Sequence, residues 1–288
     1  MTELDRFTAS IRAQFEEAGQ RLDALVSGLS GGSAFPEHYA RYVDPPVRHL
    51  FLSGGKLLRP LLLLLSARAV GEITPRSSPA LVRAAAAVEL LHTASLAHDD
   101  MVDASAERRG VPSLHNAFGT TTAILVGDLF YARFFQELAA LPGVSPALRV
   151  RVLDSFLEVT ARMCEGEILE EQIRSDGVDP SFEVYLHITE TKTASLLAAC
   201  CRAGAALNFA ADPVAETLAG FGRSLGLLFQ IADDLADGDA AYADRSRLAE
   251  KAEECRSSAS AFLRGLPSNA ATATLAEIPG HILSPSRR

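Results

Sequence analysis

Tryptophan is absent from this chain, and tyrosine (5), methionine (3) and cysteine (4) are scarce. Runs of alternating Val, Ile and Thr between turn pairs are missing too, which argues against a sheet protein. The four cysteines, Cys164, Cys200, Cys201 and Cys255, include no Cys-x-x-Cys pair. That spacing excludes a zinc ribbon or a thioredoxin-like site. Cys200 and Cys201 lie in the apolar run 196–211 and read as small core residues in a reducing compartment. Basic residues are outnumbered, 27 against 36 acidic, giving a net charge of −9. A broad basic surface for nucleic acid is therefore excluded. Gly (20) and Pro (14) are near average usage, so this is neither a collagen nor a linker. No apolar core follows the N-terminus as in a secretory signal. The longest pure leucine run, Leu61–Leu65, falls far short of the ~18 residues of a membrane span. No transmembrane segment and a cytoplasmic location are the expectation.

What the chain does have is Ala, Leu and helical periodicity. Hydrophobic residues make up 48% and charged residues 22%, which excludes disorder. At 288 residues it can bury a sizeable core. Phe7, Ile11, Phe15 and Leu22 mark an amphipathic first helix, followed by a Gly/Ser-rich loop over 27–36. Ser53-Gly54-Gly55 opens a Leu-rich helix that runs to Val70. Further helices are predicted over 81–102, 120–141, 146–174, 180–211, 213–235 and 245–263. Pro142, Pro146, Pro180 and Pro213 serve as punctuation. The last twenty residues are weakly patterned. The expectation is one all-α domain of about ten helices, several of them apolar nearly all round and so central.

Chemistry concentrates in His98-Asp99-Asp100-Met101-Val102-Asp103. At ~100° per residue, Asp99 and Asp103 share a helix face and Asp100 lies beside them. Like charges at i, i+4 and negative charge at a helix C-terminus are both unfavourable. A divalent cation relieves both. A solvated acidic helix end explains one such cluster, but the pattern recurs as Asp233-Asp234-Leu235-Ala236-Asp237 after another apolar helix. Hard oxygen donors select Mg²⁺, which is held by one or two carboxylates together with substrate phosphates. The two clusters are expected to face each other and clamp a diphosphate through bridging metal. Arg108-Arg109, Lys56 with Arg59, and Lys192-Thr193 supply counter-cations, Lys56 and Arg59 beside a helix N-terminus that favours anions.

Read in order, Gly54-Gly55-Lys56-x-x-Arg59-Pro60, His92, the first Asp cluster with Arg108-Arg109-Gly110, Gly127-Asp128, Glu165-Gly166-Glu167, Lys192-Thr193, and Phe229-Gln230 with the second Asp cluster resemble the trans-isoprenyl (polyprenyl) diphosphate synthases. The resemblance covers about residues 40–240. It implies a single domain over 1–288, an antiparallel helical bundle around a deep central cavity, and a homodimer. It implies three Mg²⁺ per active site with diphosphate bound, held by Asp99, Asp100, Asp103, Asp233 and Asp237. Asp234 and Lys192 join these as catalytic groups. Arg108, Lys192, Thr193 and Gln230 are implied for the allylic diphosphate, and Lys56, Arg59, His92 and Arg109 for isopentenyl diphosphate. The allylic partner is dimethylallyl, geranyl or farnesyl diphosphate. His98 reads as a structural group.

The reaction so implied is ionisation of the allylic C–O bond, attack by the double bond of isopentenyl diphosphate, and loss of a proton. A class I terpene cyclase is disfavoured by the second Asp cluster and by the Lys56/Arg59 pair. Two positions depart from the family pattern. Leu57 stands where Arg is common, and Gly238-Asp239-Ala240-Ala241-Tyr242-Ala243 replaces a lysine-bearing loop, with the C-terminal helices shortened. Arg245, Arg247 or Lys251 could take the missing lysine's place. The alternative is a weakly active or inactive member serving as a subunit of a heteromeric prenyl synthase.

Product length follows from the helix that precedes Asp99. Ala94 and Ser95 lie roughly 6–7.5 Å from Asp99 along its axis, with Leu91 behind them. Both are small, so a product beyond twenty carbons is expected, in the range of thirty to forty. Ala94→Phe or Ser95→Phe is expected to shift products toward fifteen or twenty carbons while the first condensation continues. Mass spectrometry of dephosphorylated products checks this, and an unchanged distribution in both variants would place the tunnel elsewhere.

Overall fold

The computed structural model describes residues 7–31, 37–52, 57–237 and 244–283. Among these the fold is all-α apart from one two-residue hairpin. The helices are α1 (Arg12–Gly31), α2 (Glu37–Leu52), α3 (Leu58–Val70), α4 (Ser78–Val102), α5 (Leu114–Phe118), α6 (Thr120–Ala139), α7 (Pro146–Asp176), α8 (Phe182–Thr189), α9 (Ser195–Leu207), α10 (Asp212–Asp237), α11 (Arg245–Leu263) and α12 (Ala270–Ile282). One π-helical turn, Glu190–Ala194, joins α8 to α9. Strands β1 (Glu107–Arg108) and β2 (Val111–Pro112) pair antiparallel between α4 and α5.

Three differences from the sequence reading stand out among the described residues. First, α1 continues to Gly31, past the loop expected from Ser27. Second, α2 forms although Pro45 and Pro46 lie inside it. Proline ordinarily removes a backbone donor and breaks a helix, but here Pro46 and Val47 are buried and packing holds the helical path. Third, α12 forms in the weakly patterned tail. The Asn269 side chain accepts from the backbone N–H groups of Ala271 and Thr272, and Ala271, Leu275, Ile278 and Ile282 form its buried stripe.

The residues group into two compact units. One comprises Met1–Arg12, Leu61–Leu81 and Gly143–Arg288. Here α10 packs between α9 and α11, and α7 lies against α9 and the π turn. Leu62–Leu65 of α3 are completely buried. The carbonyls that α3 leaves unpaired at its C-terminus are met by two asparagine amides. Asn208 Nδ2 donates to the Ala67 carbonyl at 2.9 Å, and Asn269 Nδ2 to that of Ala69 at 2.9 Å. Cys200, Cys201 and Cys255 are buried thiols, as expected of small core residues, whereas Cys164 is exposed. Burial pushes the Cys201 thiol up to about 12 and that of Cys255 to about 11.

The other unit comprises Ala13–Pro60 and Val82–Pro142. Residues 82–102 of α4 form its centre. By length and composition α4 could cross a membrane, but 78% of its most apolar window is buried, as in a core helix. Phe130 and Phe134 of α6 are fully buried, and Phe130 meets Phe51 edge-on at 5.6 Å. Glu137 is a deeply buried charge, 2% exposed. Arg21 of α1 (2.5 Å), Arg83 of α4 (2.8 Å) and Arg133 one turn back on α6 (3.5 Å) converge on it. One carboxylate thus ties three helices. Glu137→Gln leaves three half-buried guanidiniums without their anion and is expected to lower stability by about 2–4 kcal/mol. Urea unfolding measures this. A loss below about 0.5 kcal/mol would show that solvent satisfies the arginines.

Candidate active site

The first cluster sits where α4 stops. Ala104 takes φ +50°, the Ser105 N–H donates to the Asp100 carbonyl at 2.9 Å, and the Ala104 N–H to that of Met101 at 3.3 Å. This paired closure is a Schellman cap, made here with alanine in place of glycine. The hairpin follows at once. Arg108 pairs with Val111, so Arg109 and Gly110 form a two-residue turn, with φ +52° and +81°. Two positive φ values are what a type I′ hairpin turn requires. His49 Nε2 lies 2.7 Å from the Pro112 carbonyl and steadies β2 from α2.

This turn sends Arg108 back onto α4. Its Nε donates to both carboxylate oxygens of Asp100, at 2.9 and 2.8 Å, and its Nη2 to one of them at 2.6 Å. Asp100 is 2% exposed. The middle aspartate is therefore an internal partner of Arg108. Asp99 is half-buried and Asp103 exposed. Behind them, His98 Nε2 lies 3.3 Å from the Ile124 carbonyl and its ring lies against Tyr131. Gly127 is required by that seat: a Cβ there would stand 2.3 Å from His98 Nε2.

Arg59, His92 and Arg109, read together from sequence, do come together. Burial, with Arg59, Arg109 and Arg108, holds His92 well below its ordinary pKa, so it stays neutral beside cations. Lys56 and the Gly54-Gly55 turn lie outside the described residues. Sequence reading missed Glu89, one turn before His92. It is 8% exposed, and burial raises its pKa even though Arg59 and Arg109 act to lower it. Ala94 and Leu91 are fully buried, and the Ser95 hydroxyl donates to the His92 carbonyl on its own helix at 2.9 Å.

The second cluster ends α10. Asp233 and Asp234 are half-buried and Asp237 exposed. Gln230 Nε2 donates to Asp234 Oδ1 at 3.0 Å, while Gln230 Oε1 accepts from the Thr193 hydroxyl at 3.1 Å. The Tyr185 hydroxyl donates to Asp234 Oδ2. Tyr185 lies outside every motif read from the sequence, and burial and Asp234 push its pKa up. Thr193 and Lys192 are carried by the π turn. Such single turns often mark functional sites because the extra residue re-aims side chains. Lys192 Nζ contacts Glu167 at 2.6 Å and also Glu170. Burial opposes its charge, but Glu170 and Glu167 outweigh burial and raise its pKa, so the lysine stays cationic. Gly166 makes room for the turn: a Cβ there would stand 2.4 Å from Thr191 Oγ1.

The two helix ends share one plan. The protein itself engages the middle aspartate, while the i, i+4 pairs Asp99/Asp103 and Asp233/Asp237 lie at the helix ends. Among the described residues, no three His, Cys, Asp or Glu side chains converge on a closed metal site. Pairs of hard oxygen donors fit Mg²⁺, which keeps waters and takes phosphate oxygens for the rest of its shell. Residues 238–243, where the lysine-bearing loop was expected, lie outside the described residues. Of the three candidate substitutes, Arg247 stacks over the Phe182 ring at 4.3 Å and lies 3.7 Å from Glu183, and Lys251 bonds Glu254 at 2.9 Å. Arg245 is exposed.

Residues 40–251 match the polyprenyl synthetase family. The chain belongs to that family. It is 38% identical over 190 residues to a geranylgeranyl diphosphate synthase of Methanosarcina mazei, covering 66% of this chain and 57% of the relative. It is 42% identical over 234 residues to a prenyl transferase of Cyanophora paradoxa, covering 80% and 68%. The chain thus spans about three-fifths of the length of these curated relatives. Among solved structures it resembles a polyprenyl synthase of Caulobacter crescentus complexed with calcium and isoprenyl diphosphate, at 26% identity and a TM-score of 0.77, covering 98% of both chains.

The neutral His92 has a consequence for stability. Its folded pKa lies below its unfolded value of about 6.5, so below that pH the unfolded chain binds more protons. Stability is expected to fall as pH drops through about 6.5. His92→Gln should flatten that part of the curve in chemical denaturation from pH 7.5 downward. Parallel wild-type and variant curves would assign the slope to other groups.

Proposed function

We propose that this protein condenses isopentenyl diphosphate head-to-tail with an allylic diphosphate, giving a longer all-trans polyprenyl diphosphate and diphosphate. The observation that carries this reading is the repeated helix end, two carboxylate pairs each with its middle aspartate tied down. The cationic group of Arg59 and Arg109 around neutral His92 is the second support. In this reading Asp99 and Asp103, and Asp233 and Asp237, hold Mg²⁺ on the allylic diphosphate. The metal neutralises charge developing on the leaving diphosphate. Lys192, held cationic, and Thr193 with Gln230 bind that group. Arg59, Arg109 and His92 bind isopentenyl diphosphate, His92 as a neutral hydrogen-bonding group. Loss of the diphosphate leaves an allylic cation, which the isopentenyl double bond attacks before a proton departs. That both Asp clusters serve one diphosphate, and that 1–288 work as one cytoplasmic isoprenoid-synthase domain, belong to this proposal.

A homodimer belongs to it as well. Along α7, Val150, Leu157 and Cys164 recur every seventh residue, with Ala161 and Ile168 between and beyond, and all are exposed. That spacing makes an apolar seam suited to a partner helix. The alternative, a subunit of a heteromeric synthase, is favoured by the engagement of Arg247 with Phe182 and Glu183 and of Lys251 with Glu254.

Purified protein with Mg²⁺, isopentenyl and farnesyl diphosphates is expected to elongate the primer. Asp99→Asn or Asp233→Asn should cut turnover at least ~100-fold, about 3 kcal/mol of transition-state stabilisation. Near-normal turnover of either variant in excess Mg²⁺ would reject the assignment. A folded but inert wild-type chain would favour the subunit reading.

A further inference from the structure

Asp234 is held from two sides. On its own helix, Gln230 donates to Oδ1 at 3.0 Å. The carboxylate fixes the direction of that amide, because it can only accept: Nε2 faces it, and Oε1 accepts from the Thr193 hydroxyl at 3.1 Å. From a different helix, α8, the Tyr185 hydroxyl donates to Oδ2. An ionised carboxylate only accepts, so both donors run toward it and each oxygen has a fixed partner.

Tyr185 is itself immobilised. It is 8% exposed, and its ring stacks on Phe182 with centroids 6.1 Å apart and 18° between planes. Arg247 covers the Phe182 ring at 4.3 Å. The first residues of α11, which follow the second Asp cluster in the chain, therefore brace the phenol through Phe182. The first cluster reaches a similar end by other means, with Arg108 gripping Asp100. There the grip comes from a charged residue of a known motif. Here it comes from a neutral phenol on another helix.

We infer that Tyr185 is a positioning residue for the second aspartate cluster: its hydroxyl fixes Asp234, and with it the end of α10 that carries Asp233 and Asp237, in the orientation that receives a metal-bound diphosphate. This rests on the reading of Asp233 and Asp237 as metal-holding groups. Without the phenol, Asp234 is held by Gln230 alone and can turn to compete for the cation, and the helix end loses a side-chain hydrogen bond to α8. A phenol that merely fills space would affect stability alone.

The test uses the full-length protein, with Mn²⁺ and inorganic diphosphate as the probe, followed by electron paramagnetic resonance or calorimetry. Tyr185→Phe removes one oxygen and keeps the ring. It is expected to weaken Mn²⁺–diphosphate binding about tenfold, to raise the Mg²⁺ needed for half-maximal activity and the KM for the allylic diphosphate by a similar factor, and to leave the KM for isopentenyl diphosphate within twofold. Phe182→Leu thins the stack and keeps the hydroxyl. It is expected to lower the unfolding midpoint and to weaken Mn²⁺–diphosphate binding by no more than about threefold, well short of the Tyr185→Phe loss. A folded Tyr185→Phe protein with wild-type affinity would overturn the inference and leave the proposed function standing. Failure of Tyr185→Phe to fold, or an equal loss of affinity in Phe182→Leu, would also overturn it, because the residue would then act through stability. No Mn²⁺–diphosphate binding by the wild-type protein would reject the proposed function itself.

Discussion

Carboxylates crowded onto the ends of two apolar helices repel one another, and the helix dipole makes the position worse. The site depends on how the fold manages that repulsion. In each cluster the middle aspartate is gripped by side chains from elsewhere in the fold. Asp100 goes to Arg108 and Asp234 to Tyr185 and Gln230. An aspartate already engaged cannot swing into the place of a ligand, and the i, i+4 pair beside it keeps a defined spacing. The burial of Asp100 strengthens this, because a buried charge without its partner is far costlier than an exposed one.

Arg108, Thr193 and Lys192 are delivered by short departures from regular helix. Arg108 arrives on a two-residue hairpin whose turn needs positive φ at Arg109 and Gly110. Thr193 and Lys192 arrive on the π turn, which fits only because Gly166 has no side chain. His98 sits behind Asp99 because Gly127 leaves room for its ring. Gly127 and Gly166 are therefore packing requirements of the site. The cationic group around His92 obeys the same electrostatics in reverse. Burial and positive neighbours keep the imidazole neutral, and buried Glu89 shares Arg59 and Arg109 with it.

Much of this was legible in the sequence where a helix repeats locally. The apolar runs before Asp99 and Asp233 set α4 and α10, and the spacing of three residues between aspartates put each outer pair on one face. Lys192-Thr193, Gln230 and Arg108-Arg109-Gly110 were marked as candidates by their order along the chain. Three helices were not legible, the short α5 among them. In α2 the Pro45-Pro46 pair signals a break that packing overrides. In α12 the stripe of Ala271, Leu275, Ile278 and Ile282 was present but short, and its cap, Asn269, was overlooked.

The sequence by itself determined the helical class, the two carboxylate clusters with their hard-oxygen chemistry, and the set of cations available to them, because helical periodicity and residue chemistry act over a few residues. Tertiary structure alone decided which cation meets which carboxylate. Tyr185 and Asp234 are 49 residues apart, Lys192 and Glu170 are 22 apart, and Arg21 and Glu137 are 116 apart. No local rule relates residues at such separations. Their pairing is fixed when apolar faces close on one another and leave each buried charge only the partners that the packing brings within reach.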